Sequence, residues 1–223
     1  MKTLAVIPAY NEAPRIGGVV RRVRRILDDV LVVDDASTDH GPAVAAEAGA
    51  LILHNEPPNH GKGYALRIGF SYALAEDYDA VVTLDADGQH PPELIPRFLA
   101  ALEDGADLVY GNRLGDLTGM PPERVFSNRT TTALVSLLAG TRLADSQCGM
   151  RAVRAWVLRA AVTECDGFAA ESEQLILAAR HGAHLAPLTI PTIYLPDSSS
   201  KMHVLRDTLR FARRWFRWLG WLW

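Results

Sequence analysis

Short apolar runs alternate with segments of helical periodicity along the first half of the chain. Leu4–Ile7, Val30–Val33, Leu51–Leu53, Ala80–Leu84 and Leu108–Tyr110 are rich in β-branched residues and lack polar alternation, the pattern of strands buried on both faces. Between them, Ile16, Val19, Val20, Val23 and Ile26 form one stripe at three- and four-residue spacings. Tyr64, Ile68 and Tyr72 form another, and Leu94, Phe98, Leu99 and Leu102 a third. Strand and helix in strict alternation predict a parallel α/β sheet covered by helices.

The alternation stops after Gly111. A loop with Gly115, Gly119, Pro121 and Pro122 leads into a predicted helix over Glu123–Ala139. Strands at Gly149–Ala152 and Leu185–Ile190, with helices over Val153–Ala161 and Ser172–His181, are expected to complete the same sheet. Residues 1–201 therefore read as one domain, followed by a C-terminal segment, 202–223, of different character. There, on a wheel of about 100° per residue, Leu205, Leu209, Phe211, Ala212, Trp215, Phe216, Trp218, Leu219 and Leu222 share one arc. Arg206, Arg210, Arg213, Arg214 and Arg217 take the other. Such a helix either lies in a membrane interface, drawn by anionic headgroups, or packs its apolar arc on the sheet or a second copy of the chain.

Composition narrows the function. With 223 residues, 48% hydrophobic and 22% charged, the chain has an ordinary globular make-up. A net charge of −3 speaks against a general nucleic-acid binder. Cys148 and Cys165 have no metal-knuckle or CxxC spacing and suit a reducing cytoplasm. No run of about 18 apolar residues occurs, so neither a signal peptide nor a spanning helix is expected.

Polar residues crowd the predicted strand ends, where open α/β sheets bind ligands. Leu84-Asp85-Ala86-Asp87-Gly88-Gln89-His90 places two carboxylates two residues apart after a buried strand, and Asp87 with Gln89 offers oxygen donors suited to Mg2+ or Mn2+ on a diphosphate. The plainer reading is a polar turn whose aspartate caps the next helix. Asp34, Asp35, Ser37 and Asp39 follow the second strand, where Asp35 suits a base or ribose and Ser37 or Asp39 a helix cap. Tyr10 and Glu12 leave the first strand beside Pro8. Gly61-Lys62-Gly63 opens a helix, either to receive an anion at its N-terminus or with Lys62 merely solvated.

In this order PAYNE, VDDASTD, GKG, DADGQHPPE and GNR resemble family 2 glycosyltransferases, nearest to the dolichol-phosphate mannosyltransferase-like branch that glycosylates polyprenyl phosphates. Asp145 to Arg151 resembles that branch's D-x-x-x-G-x-R segment and Ser200-Lys201 its late SK. The resemblance implies a GT-A fold, a Rossmann-like, mostly parallel sheet, and an inverting hexosyltransferase using a nucleotide sugar of the GDP-mannose or UDP-glucose type. By the same resemblance Pro8, Tyr10, Glu12, Val33 and Asp35 hold the nucleoside, Asp85 and Ala86 line the diphosphate, and Asp87 and Gln89 hold the metal. Arg113, Arg124 and Lys201 meet donor or acceptor phosphates, with Asp85, Asp87 and Arg113 the catalytic set.

A polyprenyl phosphate acceptor is already anionic and needs no dedicated base. For a hydroxyl acceptor the candidates are Glu171 and Glu173, unless these are two charges on an exposed helix start. The chain departs from the family at Leu195, where many members carry an arginine, and it lacks the spanning helices with which relatives often continue. The remaining alternatives are a same-fold transferase to a soluble hydroxyl and a noncatalytic nucleotide-sugar-binding scaffold. The implied setting is cytoplasmic, peripheral on the inner face of the plasma membrane, with homo-oligomerisation open.

Overall fold

The computed structural model describes residues 1–167 and 169–193. Lys201, Leu195, Ser198–Ser200 and the amphipathic segment 202–223 lie outside the described residues. Seven strands form one sheet in the order β3-β2-β1-β4-β6-β5-β7. They are β1 (Thr3–Ala9), β2 (Val30–Asp34), β3 (Leu51–His54), β4 (Ala80–Thr83), β5 (Leu108–Asn112), β6 (Arg151–Arg154) and β7 (Leu185–Thr189). All pairings are parallel except those of β6, which runs antiparallel to both β4 and β5.

The helices are α1 (Ala13–Arg24), α2 (Gly41–Glu47), α3 (Lys62–Ala75), α4 (Ile95–Glu103), α5 (Pro122–Ala139), α6 (Ala155–Ala160) and α7 (Ala169–Arg180). Strand alternation divides the core into two layers. Leu4 and Val6 of β1 face α3, α5, α6 and α7 along with Leu31, Val33 and Val81, whereas Ala5 and Ile7 face α1, α2 and α4 along with Val30, Val32 and Val82. Helices on both sides explain why the central strands carry continuous apolar runs.

The α1 stripe is buried as expected, through Ile16, Val19, Val20 and Val23. The helix has proline in its first turn and Arg21, Arg22 and Arg24 in its last, where cations oppose the dipole. In α3 the structure corrects the expected face. Tyr64, Ile68 and Tyr72 are only partly covered, and Gly63, Ala65, Leu66, Gly69 and Ala73 lie buried. A Cβ on Gly69 would stand 2.4 Å from Val6 Cγ1, so small residues let this helix approach the sheet more closely than larger side chains would allow.

Two further expectations shift. Leu51 on the edge strand β3 is 48% exposed, so that strand is not buried on both faces. The expected strand at Gly149–Ala152 is displaced to Arg151–Arg154, which moves the start of the following helix from Val153 to Ala155. No described helix is long and apolar enough to cross a membrane.

Candidate active site

The parallel strands β1, β2, β4 and β5 deliver their carboxyl ends to one edge. Because β6 runs the other way, its beginning arrives at that edge too, with Thr83 paired to Arg151 and Tyr110 to Arg151 across the two ladders. The Asp145–Met150 segment thus enters beside the Asp85–His90 turn, and Thr83 Oγ1 donates to the Gly149 carbonyl at 2.7 Å.

On the β1–β2 side of this edge, the loops after the two strands are tied together. Asn11, at φ 51°, accepts the Thr38 amide at 2.8 Å while its own amide donates to Ser37 Oγ at 2.9 Å. Asp39 caps two helices at once, accepting the Ala13 amide of α1 and the Gly41 amide of α2, each at 2.9 Å. Tyr10 stays exposed and Glu12 is buried beside Arg15. Val33 is fully buried in the core against α3, so its side chain is out of reach of a nucleoside. Asp35 is buried and already engaged: its carboxylate accepts from Asn55 Nδ2 at 3.1 Å, Asn59 Nδ2 at 2.8 Å, the His60 amide at 3.0 Å and the Gly61 amide at 2.5 Å. Its direct effect is to fold the 55–61 loop over the edge.

Lys62 departs from the anion-binding expectation. The first free amides of α3, Gly63 and Tyr64, donate to the Asp166 carbonyl at 2.7 and 3.2 Å, which fills the helix N-terminus with main chain. The ammonium turns instead to two carboxylates of the chain itself, pairing with Asp85 Oδ1 and with Glu171 Oε1, the latter at 2.7 Å. Burial works against its charge, but Asp85 and Glu171 hold its pKa above the ordinary lysine value. Gly149 covers this trio: a Cβ there would lie 2.6 Å from both Lys62 Nζ and Glu171 Oε1.

Asp85 is correspondingly acidic. Burial opposes its ionisation, yet Lys62 overrides this and lowers its pKa to about 2. Its amide donates to His90 Nδ1 at 3.0 Å, which braces the turn from within. Asp87 differs, since burial and the neighbouring Asp85 charge push it upward and no cation among the described residues pairs with it. One of its oxygens accepts the Gln89 amide at 2.9 Å. A carboxylate disfavoured by a like charge and lacking a cation partner is a fit position for a hard divalent ion. No group of three or more His, Cys, Asp or Glu side chains gathers at metal-binding distance among the described residues.

Arg113 lies against Asp145, Nε to Oδ2 at 2.9 Å and Nη2 to Oδ1 at 3.2 Å. Asp145 is fully buried and also accepts the Gln147 amide. Arg124 sits exposed in the first turn of α5. Glu171 and Glu173, far from being exposed charges, are buried at 6% and 1%. Glu173 accepts the Glu164 and Cys165 amides at 2.8 Å each. Arg151, also fully buried, donates to the carbonyls of Cys148 and Glu171 at 3.0 and 2.6 Å, joining the β6 entry to α7. Its sequence signal was the arginine closing the Asp145–Arg151 motif; nothing local marked His90 as the brace of its own turn.

The acidic turn and the held arginine stand together at the carboxyl edge of a doubly covered sheet, and solved structures share this architecture. Mannosyl-3-phosphoglycerate synthase from Rubrobacter xylanophilus superposes with a TM-score of 0.76 over 99% of this chain and 73% of its own, at 21% identity. Glucosyl-3-phosphoglycerate synthase from Mycobacterium tuberculosis, in complex with Mn2+, UDP and glucosyl-3-phosphoglycerate, gives 0.72 over 98% and 78%, at 22% identity. The fold is GT-A.

The chain belongs to glycosyl transferase family 2, whose profile matches residues 4–165, and it is a glycosyltransferase. Undecaprenyl-phosphate mannosyltransferase from Micrococcus luteus is 32% identical, with 99% of this chain and 97% of that protein covered. Dolichyl-phosphate hexose transferase from Haloferax volcanii is 36% identical over 83% and 80%.

Proposed function

We propose that the chain is an inverting, metal-dependent hexosyltransferase that moves a hexose from a nucleotide sugar of the GDP-mannose or UDP-glucose type to a polyprenyl phosphate. The observation that carries the acceptor is the commitment of both acids able to serve as base. Glu171 is paired with Lys62, and Glu173 holds two backbone amides. A hydroxyl acceptor would need one of them released, whereas a phosphate monoester arrives already ionised. The names of the relatives from Micrococcus and Haloferax support the same acceptor class.

In this reading an acceptor phosphate oxygen attacks the anomeric carbon on the face opposite the leaving group, and the bond from that carbon to the nucleoside diphosphate breaks with its electron pair on the departing oxygen. Mg2+ or Mn2+, bound at Asp87 and Gln89, would supply positive charge to the diphosphate. Arg113, fixed by Asp145, presents the remaining face of its guanidinium to phosphate oxygens, and Arg124 and Lys201 are proposed to meet donor or acceptor phosphates as well. Tyr10, Glu12 and the 55–61 loop shaped by Asp35 flank the nucleoside, with Pro8 at the strand end and Ala86 beneath the diphosphate. The basic and aromatic segment 202–223 is proposed to hold the enzyme on an anionic membrane surface, where the acceptor resides.

The test is donor turnover with Mn2+ over a panel of nucleotide sugars, with and without a short-chain polyprenyl phosphate in detergent. Release of nucleoside diphosphate that depends on the lipid is expected. Release only with soluble hydroxyl acceptors would overturn the acceptor assignment, and donor binding without any turnover would overturn the transfer itself.

A further inference from the structure

Lys62, mostly covered at the edge of the acidic turn, is shared. Its partners come from separate parts of the chain: Asp85 follows β4 and Glu171 opens α7. The space for a side chain on the fourth neighbour is absent, because a Cβ at position 149 would meet Lys62 Nζ, Glu171 Oε1 and, at 3.0 Å, Asp85 Oδ1. The backbone that carries the lysine is closely packed on either side of it. A Cβ on Gly61 would meet the Asp166 carbonyl at 2.6 Å and one on Gly63 the Cys165 carbonyl at 2.2 Å.

Two neighbouring carboxylates of the turn therefore have different fates. Asp85 is turned toward a fixed ammonium, and Asp87, two residues on, has no such partner among the described residues. We propose that Lys62 is a positioning residue that withholds Asp85 from the metal, leaving Asp87 as the one carboxylate of the turn available to it, with Glu171 setting how much of the lysine charge reaches the site. This inference rests on the metal-dependent reading above.

The charges give it a direction that ordinary structural damage does not share. Removing Lys62 deletes a positive charge beside the ion and frees Asp85 as a second oxygen donor, so Lys62→Met should bind Mn2+ more tightly while turning over donor more slowly. Glu171→Gln should do the reverse to the metal, because the whole lysine charge then faces the turn. The double variant restores the net charge but leaves Asp85 released, so its Mn2+ affinity should lie above the starting value and below that of Lys62→Met. For one unit charge acting on a divalent ion through about 7 Å of largely aqueous surroundings, each single change should be roughly five- to tenfold.

The experiment is a Mn2+ titration of the full chain, followed by the electron paramagnetic resonance signal of the free ion, alone and with GDP or UDP. Thermal melts confirm that each variant is folded. Tighter binding by Lys62→Met, weaker by Glu171→Gln and an intermediate tightening in the double variant is the expected result. A folded Lys62→Met protein with unchanged or weaker Mn2+ binding overturns the proposal. Should Lys62→Met not fold, Glu171→Gln decides alone, and unchanged affinity there overturns it equally. If the unaltered chain binds no Mn2+ under any of these conditions, the metal-dependent reading itself fails; binding that ignores Lys62 and Glu171 sinks only this inference.

Discussion

Arg113 and Asp145 meet side-on, two guanidinium nitrogens on two carboxylate oxygens, with the Arg113 amide donating to the same carboxylate at 3.2 Å. Asp145 has no exposed surface and Arg113 keeps about a quarter of its side chain open, at 24%. The pair thus has one end sealed in the core and one end open at the edge of the site.

Arg113→Met leaves a buried carboxylate with only backbone amides to satisfy it. Stability should fall by about 2–4 kcal/mol, somewhat less than the roughly 3–5 kcal/mol of breaking a wholly buried pair, because the arginine is partly solvated. Urea unfolding gives the loss, and donor turnover should fall further than stability alone accounts for. Equal turnover per folded molecule would remove Arg113 from the phosphate site.

Asp87→Ala should reduce turnover by roughly a hundredfold or more, the scale of losing a main stabiliser of transition-state charge. The melting temperature should scarcely move, since no ion pair among the described residues depends on Asp87. Turnover measured against Mn2+ concentration checks both parts.

Gly149→Ala forces a methyl into the Lys62–Glu171–Asp85 contact. The trio has to open, and a displacement of about 1 Å in a reacting constellation can cost on the order of a hundredfold in rate. Steady-state kinetics should show the loss mainly in kcat. A Gly149→Ala enzyme with normal kcat would show that the trio does not need its present geometry.

Acid should reveal Asp85. Its pKa in the folded chain is about 2, below the ordinary 3.8. A carboxylate depressed in this way contributes stability that is fully present above its unfolded value and is lost as pH falls through the folded one. The contribution is on the order of 2 kcal/mol at neutral pH and should fade between about pH 4 and pH 2. Urea midpoints from pH 6 to pH 2 should fall less steeply across that window for Asp85→Asn than for the unaltered chain.

The sheet was legible because β1, β2 and β4 are buried on both sides, and short, unbroken, β-branched apolar runs fit little else than strands covered by helices above and below. The acidic turn was legible for a related reason: Asp85 and Asp87 directly follow such a run. Less legible was the fate of Lys62. A lysine flanked by glycines reads as an anion receptor, and only the fold shows that those glycines make room for Cys165 and Asp166, and that the anions received are Asp85 and Glu171. Glu171 and Glu173 misled in the opposite direction, because two acids in a first helical turn ordinarily face water. Their partners, Lys62 and the 164–165 amides, come from elsewhere in the chain and leave no local signal.

The reversed strand β6 also links parts of the sheet that come from different stretches of the chain. Residues 1–84 can pair β1 with β2 and β4, and β2 with β3, from chain already in hand, but β5 reaches the sheet only through β6, which follows it in sequence and stands between β5 and β4. Until residues 151–154 are inserted, β4 presents an open edge and Arg113 at the end of β5 has no fixed place beside the acidic turn. The β1–β4 part of the sheet therefore pairs chain that lies close in sequence, whereas the β5 part depends on the longer-range pairing through β6. One four-residue strand, β6, is what joins the two parts of the sheet.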